Sequence, residues 1–520
     1  MGTSDDRWGF GLLVVAILSA LALCAPALRG QALALDEHVS YYCSGAPTVS
    51  ELWNRCEEVA VLPPLSHLLE RLALAMGGHS ETVFRVPSLA AYVLAVPAGF
   101  WLGRIVAGPL CGGLAALIVA WHPGMLDEVR FARCYGLVLL LASLSMACLL
   151  RWRSAPAERR WLAAWTVSAI ALCWTHYLTA PLVAAQSVVL VFSAWHVRRS
   201  RRNARPSTAL VAVIVVGMAC VPLLPALLRL REWSGLIEFQ RIPPTVLEAF
   251  GAPWTLFALL LVLLSCAWAH FHRRRRDGQQ GLEGGGTIWM PLFLWLVPLT
   301  MIATMALLGS PMLASPRYRV MIVPASALAV GLAATRVAIP PVAACLVAGL
   351  LGFTAWSMSF SPGTAARLAN PIEEEWKQVG VELASEMGDP GVLVFTQSGL
   401  AEGILLPMLA DYPRLKSYVA CRLGPFYTQS DRALPIPILW DVGGPLSRQY
   451  LSLLKAPEIR QVRIVGANDT DLNAQSIEVF ASFLRSAGFR STVGESRPGI
   501  TLLRFERRGI EDGVVEFLNP

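Results

Sequence analysis

The sequence predicts an α-helical polytopic membrane protein with a C-terminal α/β extracytoplasmic domain, and three observations predict it. The first is composition: 55% of the 520 residues are apolar and 15% are charged, a balance outside the range of water-soluble domains. The second is pattern. Before about residue 360 the chain is a succession of apolar runs near the ~20 residues a bilayer crossing requires, parted by short breaks rich in Arg, Pro or Gly. The third is a change of character: from "SPGTAARLANPIEEEWKQVG" onward acids return and the apolar runs shrink to strand length. The expected domains are therefore 1–360, in the membrane, and 361–520, in water.

Eleven spans are expected, at 9–28, 84–106, 108–122, 133–150, 160–176, 178–197, 208–229, 253–271, 288–309, 320–335 and 339–358. Arginine supports the count. "RWRSAPAERR", "HVRRSRRNAR" and "HFHRRRRDG" are strongly basic loops, and eleven spans put all three on one face, the cytoplasmic one. One span more or fewer between them would send a basic loop outside. Alternation then places Asp36, the loop around Asp127, the loop around Arg317 and the C-terminal domain on the non-cytoplasmic side. A competing reading makes "LALCAPALRGQALA" the end of a secretory signal. Its span-like length and the acids of "MGTSDDR" favour a span, and residue 36 emerges outside under either reading. Arg- and Ala-rich composition fits a bacterial inner membrane.

Most cysteines fall inside spans and read as small apolar packing residues. Cys43 and Cys56 differ. They share the first external loop, where oxidation is permitted and a bridge would steady the Asp36 region.

Charge outside the spans is concentrated in a few places. Asp36 and Glu37 follow the first span, and "VLPPLSHLLERLALAMGG" reads as a surface helix begun by Pro63 and Pro64. "WHPGMLDEVRFARCYGL" holds Asp127, Glu128, Arg130, Arg133 and Tyr135. "THYLTAP" sets His176 and Tyr177 at one outer span end, and "SPRYRVMIVP" sets Arg317, Tyr318 and Arg319 at another. A single such residue is adequately explained as a solvated loop residue or a snorkelling arginine, and His176 alone as a structural histidine. Their gathering at outer span ends favours a site. Arginine suits a lipid phosphate at that depth, because its planar fork gives bidentate, charge-assisted hydrogen bonds.

The runs "LDEHVSYY", "PPLSHLLERLALAMGGHSETVFRVPSLAAYVLAVPAGFWLGRIVAG" and "DEVRFARCYGLVLLLASLSM", followed by "THY" and "PRYRVMIVPASALAVG", resemble GT-C membrane glycosyltransferases. The resemblance is to the PMT-2 or family 39-like group, with protein O-mannosyltransferases, aminoarabinose transferases and rhizobial lipopolysaccharide glycosyltransferases. It covers about residues 30–335. It implies a polyprenyl-phosphate sugar donor, an acceptor lipid, glycan or protein approaching from the non-cytoplasmic side, and Asp36 as the general base. A hydroxyl attacking an anomeric carbon needs a carboxylate within reach, and the departing lipid phosphate needs charge stabilisation more than protonation. One acid on the attacking side suffices, and a single displacement inverts the centre.

Glu37, Asp127 and Glu128 are left to position the acceptor, hold Asp36 or bind a divalent cation, Mg²⁺ or Mn²⁺. Arg133 is the first choice for the donor phosphate, with Tyr135, Arg317, Tyr318 and Arg319 as alternatives or partners and Arg130 behind them. Relatives carry a basic residue or His before the paired prolines where this chain has Leu62. A contact expected there moves to His67.

In the C-terminal domain "PIEEEWKQVGVELASEM" and "SIEVFASFLRSAGF" read as amphipathic helices, and "GVLVFTQ", "PIPILWDV" and "ITLLRFER" as strands. No G-x-G-x-x-G follows a strand, so nucleotide binding is not expected, and nucleic acid is not an expected partner. Two rival readings stand beside sugar transfer. A transporter or lipid flippase would show internal repeats and charges at mid-membrane, whereas here no repeat is visible and charge collects at span ends. A non-catalytic relative would bind a lipid-linked sugar without transferring it.

Overall fold

The computed structural model describes residues 4–508 except 60–62, 127, 129, 201–205, 229–242, 277–287, 338, 360–370, 399, 401, 412, 414–418, 421–422, 431 and 469. The chain forms two compact units, Met1–Gly30 with Ala60–Leu368, and Gln31–Val59 with Ala369–Pro520. Its first ten α-helices are α1 (Ser4–Cys24), α2 (Leu35–Ser44), α3 (Val49–Val59), α4 (Pro64–Gly77), α5 (Glu81–Trp121), α6 (Pro123–Leu126), α7 (Tyr135–Ser154), α8 (Arg159–Cys173), α9 (Ala180–Ser200) and α10 (Pro206–Cys220). Later helices are named by their residues.

In the first unit helix follows hydropathy, and it occupies most of each of the eleven expected stretches. Among the described residues seven helical stretches are long and apolar enough to cross a membrane, as expected of an integral membrane protein. The longest, α5, covers two expected spans. Ala107 and Gly108 leave helical geometry, Gly108 at φ +83°, a conformation that glycine adopts without Cβ strain, and Pro109 restarts the helix. Ser80 opens α5 by accepting the Val83 N–H.

The core of this unit is chiefly Ala, Leu, Val and Ile, with Trp165 and Trp295 fully enclosed. Several of its polar members are satisfied internally. The Trp165 indole donates to Gln186 Oε1 at 2.9 Å, and Gln186 Nε2 donates to Ser145 Oγ at 3.0 Å, linking α8, α9 and α7. A polar group in an apolar interior without such partners would cost several kcal/mol.

The second unit is built on a five-stranded sheet in the order β2-β1-β3-β5-β4, with β1 (Val392–Gln397), β2 (Leu434–Ile436), β3 (Gln461–Ala467), β4 (Phe489–Arg497) and β5 (Ile500–Arg507). The three strands β2, β1 and β3 run parallel, and β5 and β4 add an antiparallel edge. Trp376, Val379 and Leu383 of the helix Pro371–Ala384 enter the core against Val394 and Val465. The expected strand "PIPILWDV" is confined to three residues, and Gln461–Ala467 and Phe489–Arg497 are strands that the sequence reading did not single out.

The division differs from a cut at residue 360 in one respect: residues 31–59, which carry Asp36, group with the C-terminal sheet. The physical reason is local. The backbone N–H of Ala32 donates to Glu374 at 2.7 Å, and that of Leu33 donates to the Tyr427 hydroxyl at 2.7 Å. The His38 and Tyr41 rings then pack edge-on against Tyr427 and Phe426, at 5.3 and 4.9 Å.

Candidate active site

The first unit gathers five of the singled-out residues. The approach of α7 to α5 sets the positions of Arg133 and Tyr135, because Gly136 lies so close to α5 that an added Cβ would collide with the Ser88 carbonyl. Ser88 Oγ donates to the Arg133 carbonyl at 2.7 Å and holds the start of α7 in register. The Arg133 guanidinium lies 5.9 Å from the Tyr135 ring centre, and that of Arg317 lies 5.0 Å from the Tyr318 ring, both in the range of a cation over an aromatic face. His176 sits between the tyrosines, its ring 6.0 Å from Tyr135 and 5.9 Å from Tyr318. Arg317 Nη2 also donates to the Tyr318 hydroxyl at 3.3 Å.

His176 is half-buried there, close to Arg133 and Arg317. Its Nδ1 accepts the Leu178 N–H at 3.2 Å and caps the turn Tyr177–Thr179, which leaves Nε2 as the ring's donor. Tyr135 is 2% exposed, and its buried hydroxyl has no hydrogen-bond partner among the described residues. Two guanidinium groups, an imidazole N–H and phenol hydroxyls form a donor-rich cluster, the chemistry that suits an oxyanion.

Arg319 is elsewhere. The segment Pro316–Ile322 is a 3₁₀ helix, which repeats every three residues, so Pro316, Arg319 and Ile322 share one face. That face lines a cavity of about 790 Å³ with His122, Trp254 and Trp295. There the Arg319 guanidinium donates to the carbonyls of Glu248 at 2.7 Å, Ala249 at 3.3 Å and Ala314 at 2.8 Å. It closes the C-terminus of the short helix Val246–Ala249. The expectation that Arg319 partners Arg317 gives way to this arrangement, because three carbonyls already occupy its fork.

His122 packs edge-on to Trp254 at 4.8 Å, and its Nδ1 accepts the Gly124 N–H at 3.1 Å. The Trp254 indole N–H is buried without a partner among the described residues.

The remaining candidates are distributed as follows. His67 is paired with Glu70 at 2.9 Å, both nearly inaccessible, on the buried face of α4. Glu128 and Arg130 sit half-buried in the turn before α7, and Tyr177 is half-buried in the turn that His176 caps. Asp127 lies outside the described residues. In the second unit Asp36 and Glu37 occupy the first turn of α2, about 100° apart around the helix. Glu37 is fully buried and accepts the Ala34 N–H at 2.9 Å, capping its own helix. Asp36 is half-buried. The adjacent acids therefore divide: Glu37 caps the helix start from a buried position, and Asp36 remains partly accessible.

Sequence reasoning missed Glu70, Arg85 and His122, which are 2%, 2% and 9% exposed. The His-x-x-Glu spacing within the amphipathic α4, and an arginine at the very start of an apolar span, are the signals that would have found the first two.

No protein-family model and no curated protein matches the chain. Solved structures do. ArnT from Cupriavidus metallidurans in the apo state matches with a TM-score of 0.52 at 13% identity, over 95% of this chain and 98% of that one. ArnT from the same organism bound to undecaprenyl phosphate matches with a TM-score of 0.53 at 14% identity, over the same shares. The archaeal oligosaccharyltransferase AglB from Archaeoglobus fulgidus, in complex with an inhibitory peptide and a dolichol-phosphate, gives 0.45 at 12% identity, over 95% of this chain and 74% of that one. The agreement with ArnT spans both the membrane helices and the C-terminal sheet domain, and the chain has the GT-C fold.

Proposed function

We propose that the protein transfers a sugar from a polyprenyl-phosphate-linked donor to an acceptor hydroxyl, on a lipid, glycan or protein, at the non-cytoplasmic face of the membrane. The observation that carries the reading is the donor cluster of Arg133, Tyr135, His176, Arg317 and Tyr318, with a buried tyrosine hydroxyl that has no partner within the described protein. A GT-C fold whose ArnT relative holds undecaprenyl phosphate supports the lipid-phosphate donor. Arginine at outer span ends, opposite the basic loops, supports the orientation.

In this reading Arg133 and Arg317 take the donor phosphate. Tyr135 and the Nε2–H of His176 complete its hydrogen bonds. Asp36 takes the proton of the acceptor hydroxyl as its oxygen bonds to the anomeric carbon, the bond to the phosphate oxygen breaks, and polyprenyl phosphate leaves with the negative charge held by the guanidinium groups. The anomeric centre inverts.

The test is transfer by purified protein in lipid from a panel of radiolabelled polyprenyl-phosphate sugars. Asp36→Asn is expected to bind donor as wild type does and to lose transfer by roughly 10²–10⁴-fold, the usual worth of a general base. Full activity in that variant removes Asp36 from the base role. Donor binding without transfer by the wild type, whatever acceptor is supplied, turns the reading to a non-catalytic lipid-linked-sugar binder. Assay in chelator decides the divalent cation: Mg²⁺- or Mn²⁺-restored activity supports it, and unchanged activity removes it.

A further inference from the structure

Cys43 and Cys56 are not used by the proposed chemistry, and their placement is unusual. Cys43 lies in α2 and Cys56 in α3, at 0% and 3% exposure, with sulfur atoms within 4.8 Å of one another. Rotation about one χ1 bond moves a sulfur by about 3 Å, a displacement of the size needed to close such a gap to a bond of about 2 Å.

The two helices are already registered on each other. Arg55 Nη1 donates to the Tyr42 carbonyl at 2.8 Å, its guanidinium lies 4.9 Å from the Tyr42 ring centre, and its Nε pairs with Glu51 at 3.1 Å. Gly45 N–H closes the end of α2 on the Tyr41 carbonyl at 2.8 Å. Arg55 and Tyr42 thus flank the thiol pair in sequence and hold it face to face.

We propose that Cys43 and Cys56 form a disulfide that staples α2 to α3, fixing the helix that carries Asp36 as a rigid part of the second unit. The oxidant is a protein or low-molecular-weight disulfide of the extracytoplasmic space. One thiolate attacks it to give a mixed disulfide, the second displaces the carrier thiol, and two cysteine thiols are oxidised as one disulfide is reduced to two thiols. Because both sulfurs are enclosed in the folded protein, the exchange takes place during folding and the finished bond is shielded from reductant. The proposal rests on the extracytoplasmic orientation given above.

The experiment dissolves membranes in denaturing detergent containing N-ethylmaleimide, without reductant, so that enclosed thiols are reached, and follows tryptic peptides of the full-length protein by mass spectrometry. Protease added outside intact spheroplasts reports separately where the second unit lies. The expected result is a linked Cys43–Cys56 peptide with no alkyl adduct on either residue. C43S or C56S is expected to leave one alkylated thiol and lose the linked peptide. Adducts on both cysteines of the wild type overturn the bridge, and they do so with the orientation intact if the second unit is cleaved from outside. A linked peptide with that unit protected sustains the bridge and overturns the orientation.

Discussion

Arg317 and Arg319 lie two residues apart in one short 3₁₀ helix and have opposite fates. Arg317 faces the ring cluster of Tyr318 and His176 and hydrogen-bonds the Tyr318 hydroxyl. Arg319 turns to the other face and satisfies three backbone carbonyls beside a cavity. A guanidinium that closes carbonyls is part of the architecture, whereas Arg317 lies over a tyrosine ring beside an imidazole, a setting of side chains and not of backbone. Residue type in a motif is thus a poor guide to role when the backbone repeats every three residues and neighbours face different ways.

Substitution is expected to separate the two faces most sharply at Arg319. Arg319→Ala leaves the carbonyls of Glu248, Ala249 and Ala314 without their donor and is expected to destabilise the protein by about 3 kcal/mol or more. Thermal unfolding in detergent measures it. A variant with wild-type stability and lost donor affinity would break the comparison. The next effect belongs to the ligand. Arg317→Ala is expected to leave unfolding unchanged and to weaken polyprenyl-phosphate binding by roughly 10–100-fold, the worth of a charge-assisted hydrogen bond. Arg133→Ala should behave alike, and Tyr135→Phe should cost only a few-fold. Equal losses from Arg317→Ala and Arg319→Ala would return both to one site.

A further contrast separates the two units' use of charge. In the second, arginines meet carboxylates at the surface, as Arg463 meets Glu386 at 2.6 Å and Arg497 meets Glu382 at 2.9 Å, pairs of modest worth in water. In the first, charge collects where spans end and apolar surroundings make each placement consequential.

Much of this was legible in the sequence because it is local. Hydropathy alone marks the apolar helices, and "VAGPL" marks the break in α5, since a glycine before a proline ends one helix and begins the next. Arg133, Tyr135, His176, Arg317 and Tyr318 could be nominated from their position at span ends. Their meeting could not, for it depends on how the start of α7, the turn that His176 caps and the segment Pro316–Ile322 come together. Nor could the sequence show that Glu37 caps its own helix while Asp36 stays half-buried, or that residues 31–59 group with the sheet 340 residues later through Ala32, Leu33 and their partners Glu374 and Tyr427. Solvent preference is written residue by residue, and so the sequence by itself determined the helices, the breaks between them and the chemistry available at their ends. Which side chain answers which distant carbonyl, hydroxyl or ring is decided only when the chain closes on itself, because those energies depend on contacts between segments far apart in the chain.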